Sequence, residues 1–83
     1  MKFEMTQHAR DAIAERGISI NWIERILNAP EKLDADATDP ELSHYLGKIA
    51  EHGNRVLRVV VHTQADPIRV VTVFFDRTMK GKL

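Results

Sequence analysis

No cysteine occurs among the 83 residues of the chain. That absence excludes disulfide staples, thiolate zinc sites and a cysteine nucleophile, and it fits a reducing compartment. Long apolar runs are missing too. Nothing approaches the roughly 20 residues needed to span a bilayer, and Met1 to Gln7 lacks the basic-then-hydrophobic order of a secretory leader. The expectation is a cytoplasmic protein with no membrane partner. There is no glycine-rich phosphate loop, no serine in a nucleophile elbow and no internal repeat. The histidines stand at positions 8, 44, 52 and 62, a scatter without metal-ligand spacing, so neither a metal nor a cofactor is expected.

Charge of one sign is also lacking: 12 Lys and Arg balance 12 Asp and Glu. A free-standing nucleic-acid binder usually carries a clear basic excess, because counterion release from phosphates drives its affinity. The balance hides an asymmetry, however. Residues 1–53 hold six basic against ten acidic side chains and residues 54–83 hold six against two, so the two parts stand at −4 and +4. The basic part could meet phosphate, an acidic protein or the chain's own acidic part.

A chain this short buries only about 60% of its unfolded surface, which allows one modest core. Residues 1–83 are therefore read as a single domain, a monomer or a homodimer, held by packing alone or with a partner subunit's help.

What is present is an ordered series of element signals. Lys2 to Met5 alternates as a short edge strand would. Thr6 is placed to cap a helix reaching about Arg16, with Ala9, Ala12 and Ile13 on its buried side and Gly17 supplying the positive φ that ends it. Ser19 caps a second helix, with Ile18 stapled to Ile23, and Ile23, Ile26 and Leu27 form its buried stripe before the close at Asn28, Ala29 and Pro30. Lys32 to Ala37 is a possible short strand in an acidic stretch. Asp34, Asp36 and Thr38 imitate the start of a calcium loop, but the sixth and twelfth positions carry Asp39 and Tyr45 instead of glycine and glutamate, which rejects that reading. Leu42 to Ala50, Arg55 to Thr63 and Ile68 to Phe75 are strand candidates separated by turn residues. His52, in the first of those turns, is expected to be solvated.

The sum is an α+β fold in which an N-terminal helix hairpin covers one face of a three- to four-stranded antiparallel sheet, with the other face open. In the second long strand Leu57, Val59 and Val61 alternate with Val56, Arg58, Val60 and His62; in the third, Val71, Val73 and Phe75 alternate with Ile68, Val70, Thr72 and Phe74. A guanidinium held among valines needs a partner or an anion, so Arg58 is expected to pair with an acid such as Asp76 or Glu15, or to bind phosphate. Tyr45, Arg58, His62 and Thr72 form one constellation if the strands pair in sequence order. His8 sits in the first helical turn, at the positive end of the helix dipole. Arg16 suits the same helix's C-terminal end, and Asp76 to Leu83 is a short basic tail with Arg77, Lys80 and Lys82.

Read together, His8-Ala9-Arg10, Glu15-Arg16-Gly17-Ile18, Asn28-Ala29-Pro30-Glu31, Tyr45 with Gly47, Arg58-Val59-Val60-Val61 and Val71-Thr72-Val73 resemble the bacterial domain of unknown function 4258. That family is similar in architecture to small toxins of RelE and BrnT type, in which a helix hairpin packs on a sheet whose open face cuts RNA. The resemblance implies a metal-independent ribonuclease of a toxin–antitoxin pair, with the ribose 2′-OH as nucleophile and the protein supplying acid, base and cation. His8, Tyr45, Arg58 and His62 are then the catalytic candidates: either histidine as base or acid, Tyr45 as proton donor or stacking ring, Arg58 as transition-state cation. Arg10, Arg16, Thr72 and Arg77 are the binding candidates. The implied partners are RNA and an antitoxin-like protein. The other reading is a non-enzymatic module that binds a protein or a second copy on the open sheet face.

Overall fold

A computed structural model describes residues 2–83. In chain order the elements are β1 (Phe3–Met5), α1 (Gln7–Arg16), α2 (Ile20–Asn28), β2 (Lys32–Ala35), β3 (Leu42–Ile49), β4 (Arg55–His62) and β5 (Ile68–Phe75), with single 3₁₀ turns at Ala50–His52 and Arg77–Met79. The fold is α+β: two helices on one mixed sheet of five strands in the order β1-β5-β4-β3-β2. β2 to β5 form an antiparallel meander, and β1 adds a parallel edge beside β5. Among the described residues no helix is long and apolar enough to cross a membrane.

Local chemistry sets the helix ends. The Thr6 hydroxyl accepts from the Ala9 N–H at 3.1 Å and donates to the Val71 carbonyl at 3.1 Å, so one side chain caps α1 and ties it to β5. Gly17, at φ 62°, turns the chain left-handed and closes α1 on the Ile13 carbonyl. Ser19 accepts from the Asn21 N–H at 3.2 Å to start α2. Ile18 and Ile23 are both buried, consistent with the staple.

The core lies between the helices and one sheet face: Ala9, Ala12, Ile18, Ile23, Ile26 and Leu27 from the helix layer meet Ile49, Leu57, Val59, Val61, Val70 and Val73. Each fully buried branched side chain contributes about 2 kcal/mol by leaving water. Gly47 lets α2 approach β3, because a Cβ there would stand 3.1 Å from Ile26 Cγ1.

Register decides which side chains share a face, and two findings depend on it. First, Val60 pairs with Thr72 while Val61 pairs with Val70, so Val71 is the extra residue of a β-bulge. The bulge re-phases β5: Ile68 and Val70 join Val73 and Phe75 under the helices instead of alternating with them, and Thr72 and Phe74 stay on the reverse face. Second, Tyr45 pairs with Val59 and packs on the core, whereas its neighbours His44 and Leu46 pair with Val60 and Arg58 on the reverse face.

The reverse face is less open than the sequence suggests. Leu46, Val56 and Val60 on it are 5% exposed or less. The chain beyond β5 runs back along this side, and the Leu83 backbone oxygen accepts from Lys48 Nζ at 3.2 Å.

Candidate functional site

The reverse face carries a continuous polar spine that stitches the meander crosswise. Arg58, on β4, is its centre. Its Nε and Nη2 lie 2.9 and 2.7 Å from the same Asp76 oxygen, and its Nη1 lies 2.8 Å from His44 Nδ1 on β3. Asp34 of β2 stands 3.9 Å from Nη1. His44 reaches on through Nε2 to Asp36, 2.7 Å away. An arginine only donates, so His44 Nδ1 accepts and its proton is on Nε2, donated to Asp36. Both ring nitrogens are therefore spent.

The two ends of the spine are themselves anchored. One Asp36 oxygen accepts from the Asp39 N–H at 2.9 Å and from the Thr38 N–H at 3.2 Å. The His44 hydrogen bond, followed by those two backbone donors, holds the Asp36 carboxyl far below the usual carboxylate range. The free oxygen of Asp76 accepts from the Thr78 hydroxyl at 2.6 Å and the Thr78 N–H at 3.0 Å. Thr78 first, then Arg58, depresses the Asp76 pKa. Arg58 and Asp76 are only 15% and 11% exposed in their side chains, which puts this pair in a partly desolvated setting.

Against this geometry the predicted site residues divide. Arg58, His62 and Thr72 share the reverse face. Tyr45, expected with them, is on the opposite face, because pairing with Val59 rather than Arg58 directs it to the core. His8 and Arg10 are exposed on α1, in the helix layer across the sheet. Arg16 has a structural partner: Nη1 donates to the Val73 carbonyl at 2.9 Å, satisfying the β5 edge that short β1 leaves uncovered. His62 pairs through Nε2 with Glu41 at 2.9 Å, and its Nδ1 is buried without a partner. Among the described residues no group of three His, Asp or Glu side chains could hold a metal ion.

Sequence reasoning named Asp76 as a partner for Arg58 but missed His44 and Asp36. The available signal was the repeated Asp-x-Thr at Asp36–Thr38 and Asp76–Thr78, each an Asx-type turn that fixes a carboxylate at a strand end. It also missed His52, which is not free in solvent. Its ring stacks on Phe75 with centroids 5.0 Å apart and lies 5.2 Å from Trp22.

A second polar region lies where β4 begins and β5 ends. A shallow pocket of about 220 Å³ is lined by Arg55, Val56, Phe75, Asp76, Arg77 and Lys80. The Arg55 guanidinium carbon stands 5.9 Å from the centre of the Phe75 ring. Arg77, a predicted binding residue, is thus brought together with two cations and an aromatic ring rather than with Arg10 or Arg16.

Comparison with known families decides the affiliation: the model of Domain of unknown function (DUF4258) matches residues 5–75. The chain belongs to this family. The match spans α1 through β5, so it takes in the four strands of the meander, the last residue of β1 and the central residues of the spine, and it stops at Phe75, just before the pocket's Asp76, Arg77 and Lys80. No curated protein and no solved structure matches the chain.

Proposed function

We propose that this protein acts as a binding module and not by cleaving RNA. The observation that carries the reading is the saturation of the spine. Cleavage through the 2′-OH needs a base with a free lone pair, an acid and an uncommitted cation within reach of one phosphate. On the reverse face Arg58 is engaged by Asp76 and His44, both nitrogens of His44 are occupied, and the spare nitrogen of His62 is buried. Tyr45 and His8 lie elsewhere. A set of groups that satisfies itself is built for folding, since leaving any one of them unpaired costs its desolvation.

The competing reading, a metal-independent toxin of RelE or BrnT type, makes the opposite prediction in one experiment. The protein is induced in a bacterial host while growth and total RNA are followed, and the purified protein is incubated with the same RNA in a chelator. Binding predicts normal growth and intact RNA with soluble protein present. Growth arrest with fragmented RNA, relieved by Arg58→Ala in a variant that still folds, would establish the toxin instead.

A further inference from the structure

We propose that the pocket of Arg55, Phe75, Arg77 and Lys80 is a nucleotide site that receives a phosphate of single-stranded RNA. The proposal rests on the binding reading above and gives it a ligand.

Three cations surround this pocket, and among the described residues none stands within 4.0 Å of a carboxylate. The one acid in the lining, Asp76, does not neutralise them: one oxygen faces Arg58 and the other Thr78. Positive charge is therefore concentrated in a concave site, where a fixed anion would offset it. Two of the three cations are guanidiniums, whose planar fork matches phosphate oxygens in pairs. At about 220 Å³ the volume falls below the roughly 300–1,000 Å³ of pockets that enclose whole drug-sized ligands, which suits one phosphate and its sugar.

The aromatic side chains next to it supply the second half of a nucleotide's chemistry. Phe75, His52 and Trp22 form a contiguous cluster, each only partly buried, beginning in the pocket wall itself. Phe75 already stacks on His52 and lies beneath Arg55, so a base meets the partly exposed outer side of this cluster while the cations track the backbone, the two kinds of contact by which single strands are held without sequence reading. An acidic peptide would use the cations and leave the rings idle.

The test uses the full chain, ¹⁵N-labelled, titrated at low salt with AMP and with an eight-nucleotide single-stranded RNA; poly-glutamate is the control. Saturable amide shifts at Arg55, Val56, Arg77 and Lys80 are expected with both nucleotide ligands. Affinity for the RNA should fall with salt with a log–log slope of about −0.7 for each phosphate neutralised, and so by that amount for the one phosphate the pocket receives. Arg77→Glu, at an exposed position, should weaken RNA binding at least about tenfold, the loss of one charge-assisted contact. Unmoved pocket amides at saturating AMP, equal shifts with poly-glutamate, or undiminished affinity in Arg77→Glu would overturn the site. Cleavage of the oligonucleotide would instead sink the binding-only reading and leave pocket occupancy readable from AMP, which offers no internucleotide bond.

Discussion

Arg58 and Arg77 occupy the same basic stretch of the chain and lie on either side of Asp76, yet their surroundings differ in kind. Arg58 meets two acceptors within 2.9 Å and is 15% exposed. Arg77 is exposed, at the rim of a pocket shared with Arg55 and Lys80. A cation whose donors are consumed by its own fold contributes to stability, and one left unpaired in a concavity is available to a ligand. The same residue type thus serves architecture in the spine and recognition at the strand ends.

The sharpest way to break this contrast is to remove Arg58. Arg58→Ala leaves Asp76 and His44 without their shared donor in a partly desolvated site, and should cost about 3 kcal/mol, seen as a lower urea midpoint with an unchanged slope. An Arg77→Ala variant in the same assay should stay within about 0.5 kcal/mol of the parent.

Acid provides a second route. Asp36 and Asp76 both have folded pKa values below the usual carboxylate range, so the folded state binds these protons less readily than the unfolded chain. Their stabilisation is complete above the unfolded carboxylate value of about 3.9 and is lost as pH falls below it toward the folded values. Urea midpoints followed downward from neutral pH should decline mainly below about pH 4. In Asp76→Asn the acid limb should be shallower, and a variant with the same acid limb as the parent would remove Asp76 from the account.

The smallest effect is expected at an ion pair with equally good geometry but in water. Arg25 grips Glu51 through two bonds of 2.9 and 2.8 Å, and Arg25 draws the Glu51 carboxyl down to about 2. Both side chains are about half exposed, where solvent screens the attraction and ordering two long side chains offsets it. Arg25→Ala should leave the urea midpoint indistinguishable from the parent, and a loss rivalling that of Arg58→Ala would erase the distinction between buried and exposed pairing.

Sequence reasoning reached the fold through features that act locally. Thr6, Gly17 and Ser19 mark helix ends by hydrogen bonds to residues two to four positions away, and those ends stand where the sequence places them. The strand stretches, the helix hairpin and the α+β class follow from similar short-range patterns. The grouping of side chains on the reverse face did not, because it depends on register, and a shift of one residue sends a side chain through the sheet. The sequence pattern points to Tyr45, whereas His44 is the residue beside Arg58. Val71 looked like one more alternating valine, and its bulge is set by the pairing of Val60 and Val61 with β5. Arg58's need for an acid was legible from charge alone, and Asp76 meets it. The pocket joins Arg55 to Phe75, Arg77 and Lys80 across the β4–β5 hairpin, a proximity that periodicity within either strand does not encode.

The central contrast is tested most directly by replacing Arg58 and Arg77 with the same residue and reading both variants in the same two assays. Arg58→Met and Arg77→Met keep a long apolar stem and delete the guanidinium. Urea unfolding and AMP titration of the folded protein should give a crossed pattern: Arg58→Met loses stability and keeps AMP affinity, while Arg77→Met keeps stability and loses affinity. An Arg58→Met protein as stable as the parent but unable to bind AMP would contradict the assignment of the spine to folding and the strand-end pocket to recognition.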